Sequence, residues 1–267
     1  MSRKIIFEAI VLLLVFASIW GIFTLFPIFP DKTAFAISVQ AEEMLGKRML
    51  ESILSDPEFR QVTTEPLDSA ILEITKRLEK AVGLTDYDFS VKVVDNPNAN
   101  AFALPGGSVL VTSSLIELCE SPEELAAVLA HEIAHIQKRH VLSKVVKEFT
   151  LSLMLSDNAV LSEATRTLVS TAFDRRQEEE ADRLSLKLLE LSQINPRILG
   201  TLFRRLRDEE GTYNPRFTIL MSHPYINSRI KTAFEYKPEK DFREVKLEID
   251  WETIIKRLKS QQPKDNT

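Results

Sequence analysis

The sequence predicts an α+β fold, mainly helical, with one small antiparallel sheet and a single transmembrane helix ahead of it. Three observations carry that expectation. No charge lies between Glu8 and Asp31, one β-rich block runs from Phe89 to Thr112, and helical periodicity dominates after Ser121. The chain has 267 residues, 44% hydrophobic and 27% charged, which suits one compact domain with small appendages. Its net charge of -5, with no basic stripe among aromatics, argues against a nucleic-acid partner. Cys119 is the only cysteine, so an intrachain disulfide and a thiolate metal cluster are both excluded. Its apolar setting, SLIELCESP, makes it a packing residue.

In chain order, residues 9–29 form a helix about 30 Å long, enough to cross a bilayer core. Pro27 and Pro30 fall where it should stop, and Arg3 and Lys4 precede it. The positive-inside rule therefore leaves the tail, 1–8, in the cytoplasm and everything after Asp31 outside. A cleaved signal peptide fits less well, because the one small-residue site, VFA ending at Ala17, interrupts the apolar run. With no Arg/Ser-rich transit pattern, the expected setting is a bacterial inner membrane: single-pass, with the main domain periplasmic or extracytoplasmic.

A linker and helical arm, 30–65, come next, with Val39, Met44, Leu45, Met49 and Ile53 at helical spacing. The main domain is expected over 66–258, with a disordered tail at 259–267. Ile71, Ile74, Leu78 and Val82 share one face of a helix that Gly83 caps. FSVKVVD is a strand; Asn100 to Leu104 and Ser108 to Thr112 are two more, joined by a Pro105-Gly106-Gly107 turn. Ser121, Pro122 and Glu124 announce a helix start with a capping box, and that helix should run to about His140. Residues 141–172 are helical with a break near Ser156. Further helices are expected at about 171–191, 196–208 and 225–234, with EVKLEID as a strand before a last helix, WETIIKRLKS.

Three of the four histidines fall in AHEIAHIQKRH. His131 and His135 are four apart, on one helical face, and can reach one ion; Glu132 is rotated beside it, as a general base acting on water requires. A third protein ligand is needed. His140, His223 and the carboxylates of FDRRQEEEADRLSL are the choices. Glu178 and Asp182 are four apart and can both face the first helix, with Ala181 allowing close approach. Asp182 can then orient a ligand histidine from behind. Spacing alone leaves Glu179 open.

Taken together, NANAFALPGG, VTSSLIEL, EELAAVLAHEIAHIQKRH, RRQEEEADRLSL and SHPYINSRI resemble the gluzincin metallopeptidase family M48. That family contains the CAAX prenyl endopeptidases, the HtpX heat-shock proteases and the Oma-type mitochondrial proteases. The likeness covers about Asn98 to Ile230 and implies a zincin-like catalytic domain with one zinc ion per chain. It implies His131, His135 and Glu178 as ligands, since the family's glutamate lies three before its Ala-Asp pair, and Glu132 as the base. It implies Asp182 behind the ligands, and His223 and Arg229 lining the site, with His223 steadying an oxyanion or the substrate backbone. His140, at the family's trailing histidine, is structural. Asp174, Ser222 and Ser185 replace the more usual serine, threonine and glycine without touching a ligand.

The expected activity is endopeptidase cleavage of extended or misfolded proteins in quality control. The edge strand Asn100-Ala101-Phe102-Ala103 would hold the substrate by main-chain hydrogen bonds. A single anchor, where other members span the membrane several times, argues against membrane-embedded prenyl-protein processing. A zinc-stabilised chaperone or binding module is the rival reading, which Glu132 disfavours because a structural site needs no base. The apolar stretch 141–173 is expected to be core packing rather than a cover for the cleft.

Overall fold

The computed structural model describes residues 37–153, 171–210 and 218–261. The expected anchor and tail, the break near Ser156 and the last residues of the chain lie outside them. Among the described residues, no helix is long and apolar enough to cross a membrane.

The arm is a helix, α1 (Val39–Leu54), whose first turn is capped by the Ser38 hydroxyl, which accepts from Ala41 N. A short strand β1 (Arg60–Gln61) leads to α2 (Glu65–Val82), which ends at Gly83 with φ of 76°. The strands β2 (Ser90–Asp95), β3 (Ala101–Ala103) and β4 (Ser108–Thr112) complete a four-stranded sheet of order β1-β2-β4-β3. The β3–β4 hairpin is antiparallel as expected, but β2 runs parallel to β4, from Ser90 opposite Ser108 to Val94 opposite Thr112. The sheet is therefore mixed rather than antiparallel. Residues 96–100 reverse the chain and carry it past β4 to the far edge, a choice of neighbour that alternation in sequence does not encode.

The turn after β3 is pinned in place. Gly106 and Gly107 have φ of 79° and 112°, and a Cβ on Gly106 would lie 2.4 Å from Glu43 Cα. A Cβ on Gly46 would lie 1.7 Å from Pro105 O, so α1 meets the turn backbone to backbone. Glu42 fastens the same contact: its buried carboxylate accepts from Gly106 N, from Tyr87 and from both Nε and Nη2 of Arg139.

A short helix α3 (Ser113–Leu118) precedes α4 (Pro122–Gln137), the centre of the molecule. Helix α4 packs against α2, against β3, and against two later helices, α6 (Arg175–Leu191) and α7 (Arg197–Glu210). Ser121 caps it as expected, but Glu124 does not close the box. Its carboxylate accepts from Glu120 N and from Arg205 instead. The helix also stops before His140: Arg139 takes φ of 54°, and α5 (His140–Leu153) starts in a new direction. Sequence periodicity misses this break because an Arg in the left-handed region carries no local signal.

Helix α6 begins at Arg175 rather than near Thr171, because Asp174 and Gln177 form a full capping box there. Helices α8 (Thr218–Ser222), α9 (Ile226–Glu235) and α10 (Trp251–Gln261) follow. EVKLEID is not a strand. Its backbone is held by a side chain instead: Arg77 donates to the carbonyls of Ser192, Gln193, Val245 and Lys246.

Candidate active site

Helix α4 is buried along almost its whole length, and only Glu123 and Gln137 escape burial. A helix of that kind belongs in a core, so its buried polar side chains must find partners inside the protein: Glu124 finds Arg205, and His131, Glu132 and His135 lie further along. They find them across the α4–α6 contact. Ala181, fully buried, allows the close approach, and Glu178 and Asp182 stand one turn apart on the same face of α6.

His131, His135, Glu178 and His223 each offer one donor atom, and these four atoms lie within 4.8 Å of one another. The Nε2 atoms of His131 and His135 are 3.1 Å apart, and His223 Nδ1 is 2.9 Å from Glu178 Oε1. Four buried imidazole and carboxylate donors held this close together are a set that a divalent cation fits. Glu178 Oε2 and Glu132 Oε1 are both buried without a hydrogen bond of good geometry. Nitrogen and carboxylate donors in this number match a transition metal of the zinc type.

Behind the donors stands a polar support. His131 Nδ1 is 3.1 Å from Asp182 Oδ1, so the proton on that nitrogen points to the carboxylate and Nε2 is left for a ligand role. Arg229, on α9, donates from Nε and Nη2 to Asp182, from Nη1 to His223 O, and lies 3.0 Å from Glu178 Oε2. Its guanidinium also covers the Phe203 ring at 4.2 Å. Phe173 stacks on the His135 ring at 4.0 Å and fixes its plane.

The electrostatics separate the acids. Burial works against ionising Glu178 and Asp182, yet Arg229 and the nearby histidines outweigh it and hold both carboxyls well below the usual range. Glu132 is the opposite case: burial raises it, with only partial relief from His223 and His131. A carboxyl kept from easy ionisation is the better proton acceptor once ionised. Burial depresses His135 far below its ordinary value and keeps it neutral. Burial and Arg229 also oppose protonation of His131, but Asp182 and Glu178 overcome them and hold it up at about 9 before any metal binds.

The edge strand closes the site. Leu104 N donates to Ser108 O and Thr112 N to Asn100 O, so Ala101 and Ala103 turn their own N–H and C=O groups outward. Ala103 N donates to Glu132 Oε2 at 2.9 Å, and Ala101 N to the Asn100 side chain, and both alanines are buried. Phe102 packs edge-on against Phe59.

The structure brings His131, Glu132, His135, Glu178, Asp182, His223 and Arg229 together at the donor cluster, with Asn100 to Ala103 beside it. Glu179 points away and pairs with Arg183 on the surface. His223, one of the choices for a third ligand, offers a donor atom to the cluster. Two contributors escaped sequence reasoning and needed the fold: Phe173 stacks under His135, and Glu180 reaches His140.

Comparison with known proteins agrees with the geometry. The chain is 27% identical over 212 residues to the mitochondrial metalloendopeptidase OMA1 of Schizosaccharomyces pombe, covering 76% of this chain and 63% of that one. It is 29% identical over 185 residues to the beta-barrel assembly-enhancing protease of Escherichia coli, covering 62% of this chain and 38% of that protein. The chain thus spans less than two thirds of the length of these curated relatives. The model of peptidase family M48 matches residues 66–237, from the second residue of α2 through α9, and so takes in every donor and its support. This chain belongs to peptidase family M48.

Proposed function

We propose that this protein is a membrane-anchored, zinc-dependent endopeptidase that cuts extended or misfolded proteins in envelope quality control, with one zinc ion per chain. The observation that carries the reading is the buried donor cluster with Glu132 Oε1 beside it, 3.4 Å from His223 Nε2 and without a hydrogen bond of good geometry. A binding module without catalysis needs no buried carboxylate aimed at the donors and no open position.

His131, His135 and Glu178 would hold the ion, whose contribution when bound is Lewis acidity toward a carbonyl oxygen and a water. Glu132 takes the water's proton and returns it to the leaving amine, and its second oxygen is steadied by Ala103 N. His223 supplies hydrogen-bonding character where negative charge develops on the carbonyl oxygen, with Arg229 behind it holding Asp182 and Glu178 in place. The edge strand Asn100 to Ala103 would hold an extended substrate by main-chain hydrogen bonds, which favours chains that have lost their own fold. The relatives' names, a metalloendopeptidase and a protease, support the reaction class. The uncharged run 9–29 supports the anchor, with the catalytic domain outside the cytoplasm.

The test is the full-length chain, wild type and Glu132→Gln, with bound zinc measured beside cleavage of an unfolded protein. Equal zinc with cleavage lost only in the variant is the expected result. Zinc in both with cleavage in neither overturns the endopeptidase in favour of a binding module, and zinc in neither overturns the site.

A further inference from the structure

Three residues beyond the end of helix α4 lies a second histidine contact that the donor cluster does not use. His140, the first residue of α5, is buried, and its Nδ1 lies 3.1 Å from Nδ1 of His135. Its Nε2 lies 3.2 Å from Glu180 Oε2, on the acidic helix. The left-handed turn at Arg139 makes this possible: a continuous helix would carry His140 round to another face, five residues from His135.

Two ring nitrogens that face each other can share only one proton. Glu180 decides which ring owns it. An ionised carboxylate only accepts, so the proton of neutral His140 sits on Nε2 and its Nδ1 offers a lone pair. His135 must then donate from its own Nδ1, which empties Nε2. That is the nitrogen 3.1 Å from His131 Nε2 and 3.6 Å from Glu178 Oε1, inside the donor cluster. Phe173, stacked on His135, stops the ring from turning to escape the constraint. The other ligand histidine is served by a single carboxylate, since Asp182 meets His131 Nδ1 directly.

From this we infer that His140 and Glu180 form a relay that fixes the tautomer of His135 and so prepares its Nε2 as a metal ligand. The pair acts as a positioning device and touches neither metal nor substrate. The inference rests on the metal reading of the site, although its first step concerns the metal-free protein alone. Outer partners of this kind are worth about 10–100-fold in metal affinity.

Because the chain holds only four histidines, selective 15N-histidine labelling of the full-length protein gives a ring spectrum that can be assigned residue by residue. In the metal-free wild type, His135 should carry its proton on Nδ1 and His140 on Nε2. Zinc affinity, from competition with a chromophoric chelator, should fall about 10–100-fold in His140→Leu. It should stay near wild type in His140→Asn, whose side-chain oxygen keeps an acceptor at the Nδ1 position. Glu180→Gln, at the half-exposed end where folding is not at stake, should give a mixed His135 tautomer and a smaller loss. His135 protonated on Nε2 in the wild type, or equal zinc affinity in the Leu and Asn variants, would overturn the relay. Wild-type protein with the expected tautomers but no zinc affinity would overturn the metal function instead, and so the two failures are told apart.

Discussion

Helices α4 and α6 each bring donor atoms to one buried cluster, but they are built on opposite plans. Helix α4 is buried almost end to end, and its His131, Glu132 and His135 are polar exceptions in an apolar rod. Helix α6 is an amphipathic surface helix with a polar majority, on which burial selects Glu178 and leaves Glu179 exposed. A polar group on the first plan stands out in the sequence because nothing around it is polar. On the second plan a ligand hides among its neighbours, and only the direction of the side chain distinguishes it. Their electrostatics differ in the same sense. The acids of α6 are neutralised by Arg229, while Glu132 of α4 is left to bear its burial.

The sharpest way to break this comparison is along the three glutamates of α6. Glu178→Gln should abolish tight zinc binding and destabilise the metal-free fold by about 3 kcal/mol, because Arg229 loses one of two buried counter-charges. Glu179→Gln should change neither by a measurable amount, since an exposed pair contributes little. Chemical denaturation and chelator competition on the two variants read both effects. Equal effects in the two would show that the burial assigned to Glu178 is wrong.

The next test concerns the sign of stability against pH in metal-free protein. Glu178 and Asp182 have folded values below their ordinary 4.5 and 3.8. Their contribution is therefore fully present above those ordinary values and is lost as pH falls, from about pH 5 downward. Glu132, raised above its ordinary 4.5, works the other way and costs stability once ionised. Glu132→Gln should accordingly raise the melting temperature of metal-free protein at neutral pH, where Glu178→Gln lowers it. A fall in both would remove the distinction between the two helices.

The smallest effect is at the helix starts. Ser121→Ala and Asp174→Ala each remove an N-cap and should cost about 1 kcal/mol in denaturant unfolding. The loss at Asp174 should exceed that at Ser121, because only Asp174 belongs to a closed box. Equal losses would mean that Gln177 adds nothing.

Much of the site was legible in the chain itself. HExxH on an apolar helix with an independent start signal, and Glu178 with Asp182 one turn apart, follow from helical period and from the metal's need for unprotonated donors. The β3–β4 hairpin follows from its Pro-Gly-Gly turn. The parallel pairing of β2 with β4 was not legible, because alternation shows that a strand has two faces and is silent about which strand lies beside it. Nor was the break at Arg139, a left-handed residue with no glycine to mark it. Nor was the extended course of EVKLEID, whose partner is an arginine side chain more than 160 residues earlier in the chain.

What the sequence determined alone is the chemistry on offer: which residues can ligate, which can accept a proton, and which helix faces carry them. Those properties are local and repeat with the period of the backbone. What the tertiary structure decided is placement: Glu178, the glutamate the family resemblance implies, is buried while Glu179 is exposed, and His223 stands among the donors. It also decided that His140 stands behind His135, where a turn of chain at Arg139 brings it. Placement depends on distances between segments far apart in the chain. Those distances are set by how α4, α6 and α9 pack, and no local periodicity encodes that packing.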